Sequence, residues 1–253
     1  MIEEQQGKIE HIVRIPVPAP ENEKEAIKIL EGDLTIPNKN PKGIVLFAHV
    51  SGSSRYSTRN QFVAKALNND GLATLLVDLL TPQEEGSDIR MQKIQSKIPG
   101  LVLNKFNIKL LSKRLTSIID WILANADTQS HIIGLFGAST GAAAALIAGG
   151  QKTYTVSAIV SCSGRPDLAG QEALSKVQAP TLFIVGSNDD KSVIDLNNRA
   201  LNQLVNVQKK KIVTVPGATH LFVEPGVLEE VARLASGWFR CYFLIRGHSS
   251  NRR

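Results

Sequence analysis

The sequence predicts an α/β fold: one domain built on a mostly parallel sheet with helices on both faces. Three observations predict it. Short apolar runs recur along the chain and do not alternate with polar residues, as strands with one wet face would. Segments with helical spacing separate these runs, and alternation of strand and helix implies right-handed crossovers. One such junction carries a glycine-rich pentapeptide between an apolar run and an alanine-rich stretch.

Two early candidates, residues 9–16 and 30–36, have prolines nearby and read as edge strands. Buried strands are expected at 43–48 (GIVLFA), 72–77 (LATLLV), 131–136 (HIIGLF), 157–161 (SAIVS), 181–185 (TLFIV) and 211–215 (KIVTV). A helix over 60–68 carries Phe62, Val63, Ala66 and Leu67 at helical spacing, and a second places Leu111, Leu115, Ile118, Ile119 and Ile122 on one face. The stretch AAAALIA after Gly141 is a strong helix former. Residues 192–205 and 227–239 repeat apolar positions by three and four, ending on Leu204 and Trp238; Trp121 and Trp238 both read as core. One connection looks irregular. Residues 79–100 (LLTPQEEGSDIRMQKIQSKIPG) are polar and punctuated by Pro82, Gly86, Pro99 and Gly100, which suits an entry loop or a surface excursion. A single domain over 1–253 is expected, with its core at about 30–243 and a polar tail at 244–253.

Composition excludes several classes. Hydrophobic residues at 43% and charged residues at 21% are ordinary for a globular chain, so disorder is not expected. A chain of 253 residues can bury a large core without a disulfide or metal staple. Cys162 and Cys241 are the two cysteines and form no CxxC, so neither a disulfide framework nor a zinc module is expected. Residues 1–10 are acidic and polar, and no run approaches a membrane span, which makes the cytoplasm the default location. The charge of +6 and a pI near 9.3 permit binding to nucleic acid. However, the excess lies in Lys209-Lys210-Lys211 and in Arg246, Arg252 and Arg253, with no accompanying recognition motif. A solvated charged surface is the expectation, with no nucleic-acid or membrane partner.

The chemistry centres on Gly137-Ala138-Ser139-Thr140-Gly141. A G-x-S-x-G between strand and helix is the context of a nucleophile elbow, where the helix N-terminus offers amides to developing negative charge. The alternative is a glycine-rich turn whose serine caps the helix. A serine needs a base oriented by an acid. Of the five histidines, His220 follows the run at 211–215 and the turn Pro216-Gly217-Ala218-Thr219. That places it at the C-terminal end of a strand, where open α/β sheets gather their sites. The run at 181–185 leads into Gly186-Ser187-Asn188-Asp189-Asp190, so either Asp189 or Asp190 can supply the acid. A turn histidine and capping aspartates are the alternatives.

The segments AHVSGSSR (48–55), GLATLLVDLL (71–80), GLFGAST (134–140), PTLFIVGSNDD (180–190) and PGATHLF (216–222) resemble the α/β-hydrolase superfamily in its dienelactone hydrolase-like branch. The resemblance runs from about Leu34 to Arg240. It implies an eight-stranded sheet flanked by helices with little or no cap, a Ser139 nucleophile, a His220 base, an Asp189 acid and no cofactor or metal. The chain is also similar to hydrolase-like domains found attached to phosphoribosyltransferases. Dienelactone hydrolases proper use a cysteine nucleophile where this chain has Ser139, so their substrate is not carried across.

A second departure is His49-Val50, where such proteins commonly read His-Gly. The oxyanion hole is expected to use the Thr140 amide and a donor from the loop at Val50 and Ser51, although valine does not readily adopt the positive φ open to glycine. His49 is expected to pin that loop. Arg55 and Tyr56 are candidates to bind a substrate acid or carbonyl, with a surface salt bridge and a packing ring as the alternatives. Cys162 reads as a small buried residue and Asp78 as a loop anchor. These expectations add up to a serine hydrolase of small carboxylic esters. A catalytically silent small-molecule binding module on the same fold is the rival reading.

Overall fold

The computed structural model describes residues 9–21, 23–37, 41–49, 54–95 and 108–250. Its strands are β1 (Ile9–Pro18), β2 (Ile27–Ile36), β3 (Ile44–His49), β4 (Ala73–Asp78), β5 (Ile133–Ala138), β6 (Val156–Cys162), β7 (Thr181–Gly186) and β8 (Lys210–Val215). The helices are α1 (Thr58–Asn69), α2 (Pro82–Gln95), α3 (Ile108–Ala124), α4 (Thr140–Gln151), α5 (Gln171–Lys176), α6 (Lys191–Gln203) and α7 (Val227–Ser250).

The strands form one eight-stranded sheet in the order β1-β2-β4-β3-β5-β6-β7-β8. β1 and β2 run antiparallel, as do β2 and β4, and every pairing from β4 through β3 to β8 is parallel. The parallel strands β6 and β7 are buried along their whole length, which is why their sequences are mostly apolar, with only small hydroxyl residues among them. One face packs Leu115, Ile118 and Ile122 of α3 and Ala144 and Leu146 of α4 against the sheet. The other packs Val63 and Leu67 of α1 and Val231, Ala235 and Phe239 of α7. Trp121 and Trp238 are half-buried and pack against these two cores.

Four expectations need correction. β2 is not an edge strand, since it lies between β1 and β4. The second edge is β8, whose run KKIVTV is largely exposed or half-buried, and its flanking lysines suit an unpaired edge. The connection after β4 is not irregular, because residues 82–95 form α2. Thr81 and Glu84 close a capping box there: the Thr81 amide donates to Glu84 Oε2 at 2.7 Å and the Glu84 amide to Thr81 Oγ1 at 3.4 Å. Pro82 stands at the first helical position, where its missing N–H costs nothing. The remainder of that connection, 96–100, lies outside the described residues. The polar tail expected from residue 244 also continues α7 as far as Ser250.

Candidate active site

The C-terminal ends of β5, β6, β7 and β8 carry the chemistry, on the edge where open α/β sheets leave a crevice. Ser139 stands between β5 and α4 with φ 52° and ψ −126°. Residues with side chains rarely hold this conformation unless their surroundings enforce it. The close packing is visible at Gly137, where an added Cβ would lie 2.5 Å from Ala142 Cα. Ser139 occupies the cap position of α4, yet its hydroxyl makes no cap hydrogen bond, and the residue is exposed. The simple capping alternative therefore falls. Thr140 follows on the first turn of α4, buried, with its own hydroxyl unpartnered.

Of the two candidate carboxylates, Asp189 is the one that meets the histidine. Both of its oxygens lie 3.0 Å from His220 Nδ1, and the residue is buried. The Asp190 amide donates to Oδ1 at 2.7 Å, and the Ser163 hydroxyl donates to Oδ2 at 2.9 Å. Asp190 instead caps α6, accepting from the Ser192 amide at 2.7 Å. Hydrogen bonding to Ser192 holds its carboxyl below the ordinary aspartate value.

The acid and histidine loops are tied to each other. The Asn188 amide donates to the Ala218 carbonyl at 2.9 Å, and the Gly217 amide donates to Ser187 Oγ at 2.7 Å. The His220 turn is closed by Thr219, whose hydroxyl donates to Glu224 Oε1 at 2.6 Å. From α1, Arg59 Nη1 donates to the Leu221 carbonyl at 3.1 Å. Neither Ser163 nor Arg59 is singled out by the sequence. Arg59 sits on a helix whose apolar pattern draws attention elsewhere, and Ser163 follows a buried strand with no motif around it.

The Dienelactone hydrolase family model matches residues 30–243. The chain belongs to this family. A dienelactone hydrolase from Anabaena variabilis is 48% identical, with a TM-score of 0.77 over 92% of this chain and 98% of that one. Est1E from Butyrivibrio proteoclasticus, at 16% identity and a TM-score of 0.68 over 92% of this chain and 99% of that one, shows the shared fold alone. Two Mycobacterium tuberculosis proteins with the provisional name phosphoribosyl transferase are 51% identical over 208 residues. That stretch is 82% of this chain but 43% of theirs, so the chain spans less than half the length of these relatives.

The fold agrees with membership of the dienelactone hydrolase family, with one eight-stranded sheet. Among the described residues there is no large cap over its site. The expected oxyanion residues Val50 and Ser51 lie outside the described residues, as does the His49 side chain. Arg55 is corrected from the substrate-binding expectation: it is buried and its guanidinium is engaged within the protein. Its Nη2 lies 2.8 Å from Glu31 Oε2, Nη1 3.2 Å from Asp78 Oδ2 and Nε 3.4 Å from Asp33 Oδ1. Its backbone amide also donates to Asp78 Oδ1 at 2.8 Å, so Asp78 anchors the loop after β3. Tyr56 is exposed, with its hydroxyl accepting from Arg55 Nη2 at 2.5 Å and its ring under the guanidinium. A cleft of about 530 Å³ opens between β1–β2 and α1, lined by Ile12, Asp33, Thr35 and Lys65, and includes none of Ser139, Asp189 or His220. Among the described residues, no three His, Cys, Asp or Glu side chains gather as a metal would require. No helix among them is long and apolar enough to cross a membrane.

Cys162 closes β6 and is buried, and that burial pushes its thiol up to about 12. Cys241 is exposed on α7. Thiolate rather than thiol reacts with disulfide reagents. Titration of the native protein with a chromogenic disulfide is thus expected to modify Cys241 promptly and Cys162 only after denaturant is added. Prompt modification of both would place Cys162 at an open surface.

Proposed function

We propose that this chain is a serine hydrolase that cleaves small carboxylic esters through an acyl-enzyme. Ser139 Oγ attacks the substrate carbonyl while His220 Nε2 takes its proton. Asp189 holds the imidazole through Nδ1 and stabilises the imidazolium that forms. The Thr140 amide, with a donor from the Val50–Ser51 loop, receives the charge of the tetrahedral intermediate. His220 then protonates the leaving alcohol, and a water activated by the same histidine releases the acid and restores Ser139. The observation that carries this reading is the strained, uncapped backbone of Ser139 at the end of β5, together with a buried Asp189 bonded to the half-exposed His220 on the same edge of the sheet. The transferase name of the longer relatives is not extended to this chain.

The walls available point to small, water-soluble acyl groups. Between β6 and β7 the chain holds only a 3-10 turn (Pro166–Ala169) and the six-residue α5. α2 is polar, with Glu84 and Glu85 in its first turn. Each added CH₂ contributes about 0.8 kcal/mol only if it is buried. A series of p-nitrophenyl esters from acetate to palmitate is expected to give the highest kcat/KM at about two to four carbons, without activation at lipid interfaces. A fluorophosphonate probe is expected to label Ser139, and Ser139→Ala to lose both label and turnover. An unlabelled, inactive native protein would favour the silent binding module instead. An optimum at about eight carbons or more would reveal an apolar channel.

A further inference from the structure

The segment after β6 touches both halves of the candidate site at once. The Ser139 amide donates to the Cys162 carbonyl at 3.2 Å, and the Arg165 amide donates to the Ser139 carbonyl at 2.9 Å. Between those two residues, the buried Ser163 hydroxyl donates to Asp189 Oδ2 at 2.9 Å. Ser163 adopts a φ of 37°, one of three positive values among non-glycine residues in the described chain, Ser139 being another. Its amide is fixed on the Ile184 carbonyl of β7 at 2.8 Å. Gly164 packs so closely that a Cβ there would sit 2.3 Å from Ser161 Oγ and 2.6 Å from Ala142 Cβ. A strained backbone held this tightly persists only where its surroundings over-determine it.

We propose that Ser163 is a positioning residue, with its hydroxyl holding the Asp189 carboxylate against His220 while its backbone neighbours hold the nucleophile elbow. The inference rests on the Ser-Asp-His reading. The hydroxyl withdraws charge from Oδ2 and fixes the plane of the carboxylate. Without it, Asp189 keeps a more concentrated charge and attracts the imidazolium more strongly, so His220 retains its proton to higher pH. The other charged groups around the histidine are Arg59, bonded to the Leu221 carbonyl from α1, and Glu224, bonded to Thr219. Asp190 is occupied in capping α6. None of these contacts involves Ser163.

The test compares the native protein with Ser163→Ala, which removes the hydroxyl and keeps the Cβ, and Ser163→Gly, which also relieves the backbone. In both variants the NMR titration of the His220 imidazole is expected to move to higher pH by about half a unit. The acid limb of kcat/KM should move with it. kcat should fall about tenfold or more while KM stays within about twofold. The imidazole titration needs no turnover, so it still decides the matter if the native protein proves inactive and the hydrolase reading fails. A titration and pH profile unchanged in both variants would overturn the role of Ser163, and so would a failure of both variants to fold, which would make the serine purely structural.

Discussion

Asp189→Asn is expected to lower kcat/KM for a short-chain ester by about 10⁴-fold, the loss seen for the same change in a serine protease triad. The reason lies in what surrounds the carboxylate. Oδ1 accepts from the Asp190 amide and Oδ2 from the Ser163 hydroxyl, while His220 Nδ1 is 3.0 Å from both. A backbone amide can only donate, so an asparagine would keep its oxygen at the Oδ1 position. Its NH₂ would then point at the serine hydroxyl, which can turn to accept, and at Nδ1. Facing a donor, Nδ1 must give up its proton, which moves the proton to Nε2. That tautomer cannot take a proton from Ser139. The neighbouring Asp190→Asn is expected to leave kcat/KM within about twofold, because asparagine caps a helix as well as aspartate does. Steady-state kinetics of the two variants at matched pH check both outcomes. If Asp190→Asn is the more damaging change, the acid has been assigned to the wrong residue.

The sheet was largely legible because burial on both faces leaves an unambiguous trace. β3 to β7 are short continuous apolar runs, and each was expected within one or two residues of where it lies. β8 misled because KIVTV looks like a buried strand, whereas its edge position depends on which neighbours the sheet supplies. The turn at Ser139 was legible because a tight strand-to-helix junction requires glycines in a fixed local pattern, and the strand-end positions of Asp189 and His220 followed from the topology. Ser163 left no such trace. A single serine after a buried strand carries no spacing signal, and its importance arises from a contact 26 residues along the chain. Arg55 shows the opposite failure. Its placement beside the loop suggested a substrate contact, but the carboxylates that engage it come from β2 and β4.

The misreading of α2 had a visible remedy, and it leads to the largest expected effect on stability. Thr81-Pro82-Gln83-Glu84 is a capping box with proline at the first helical position, and Arg114 stands among Leu111, Leu115 and Ile118 on the apolar stripe of α3. A cation in such a stripe demands a partner. Arg114 is fully buried, and Glu84 meets it bidentately: Nη1 to Oε2 and Nη2 to Oε1, both at 2.7 Å. Its remaining donors reach the Pro18 carbonyl at 3.0 Å and the Leu79 carbonyl at 2.8 Å. One guanidinium thus joins α3, the end of β1, the exit of β4 and the start of α2. Burial alone would push the Glu84 carboxyl up, but the Arg114 hydrogen bonds and the Thr81 amide outweigh it and hold the group below its ordinary value. A carboxyl lowered on folding contributes fully above its unfolded titration range, and the contribution fades as pH falls through the lowered folded value. Glu84→Gln would leave Arg114 buried without a counter-charge, and the amide would point N–H at one of its donors. The expected cost at pH 7 is about 3–5 kcal/mol, measured by urea unfolding. The gap between the two proteins should narrow on acidification, as native Glu84 takes up its proton. Replacing both partners, Glu84→Gln with Arg114→Met, should recover part of the loss, since an apolar side chain of similar length has no charge to leave unpaired. A Glu84→Gln protein within about 1 kcal/mol of the original at pH 7 would show that this pair only decorates the start of α2.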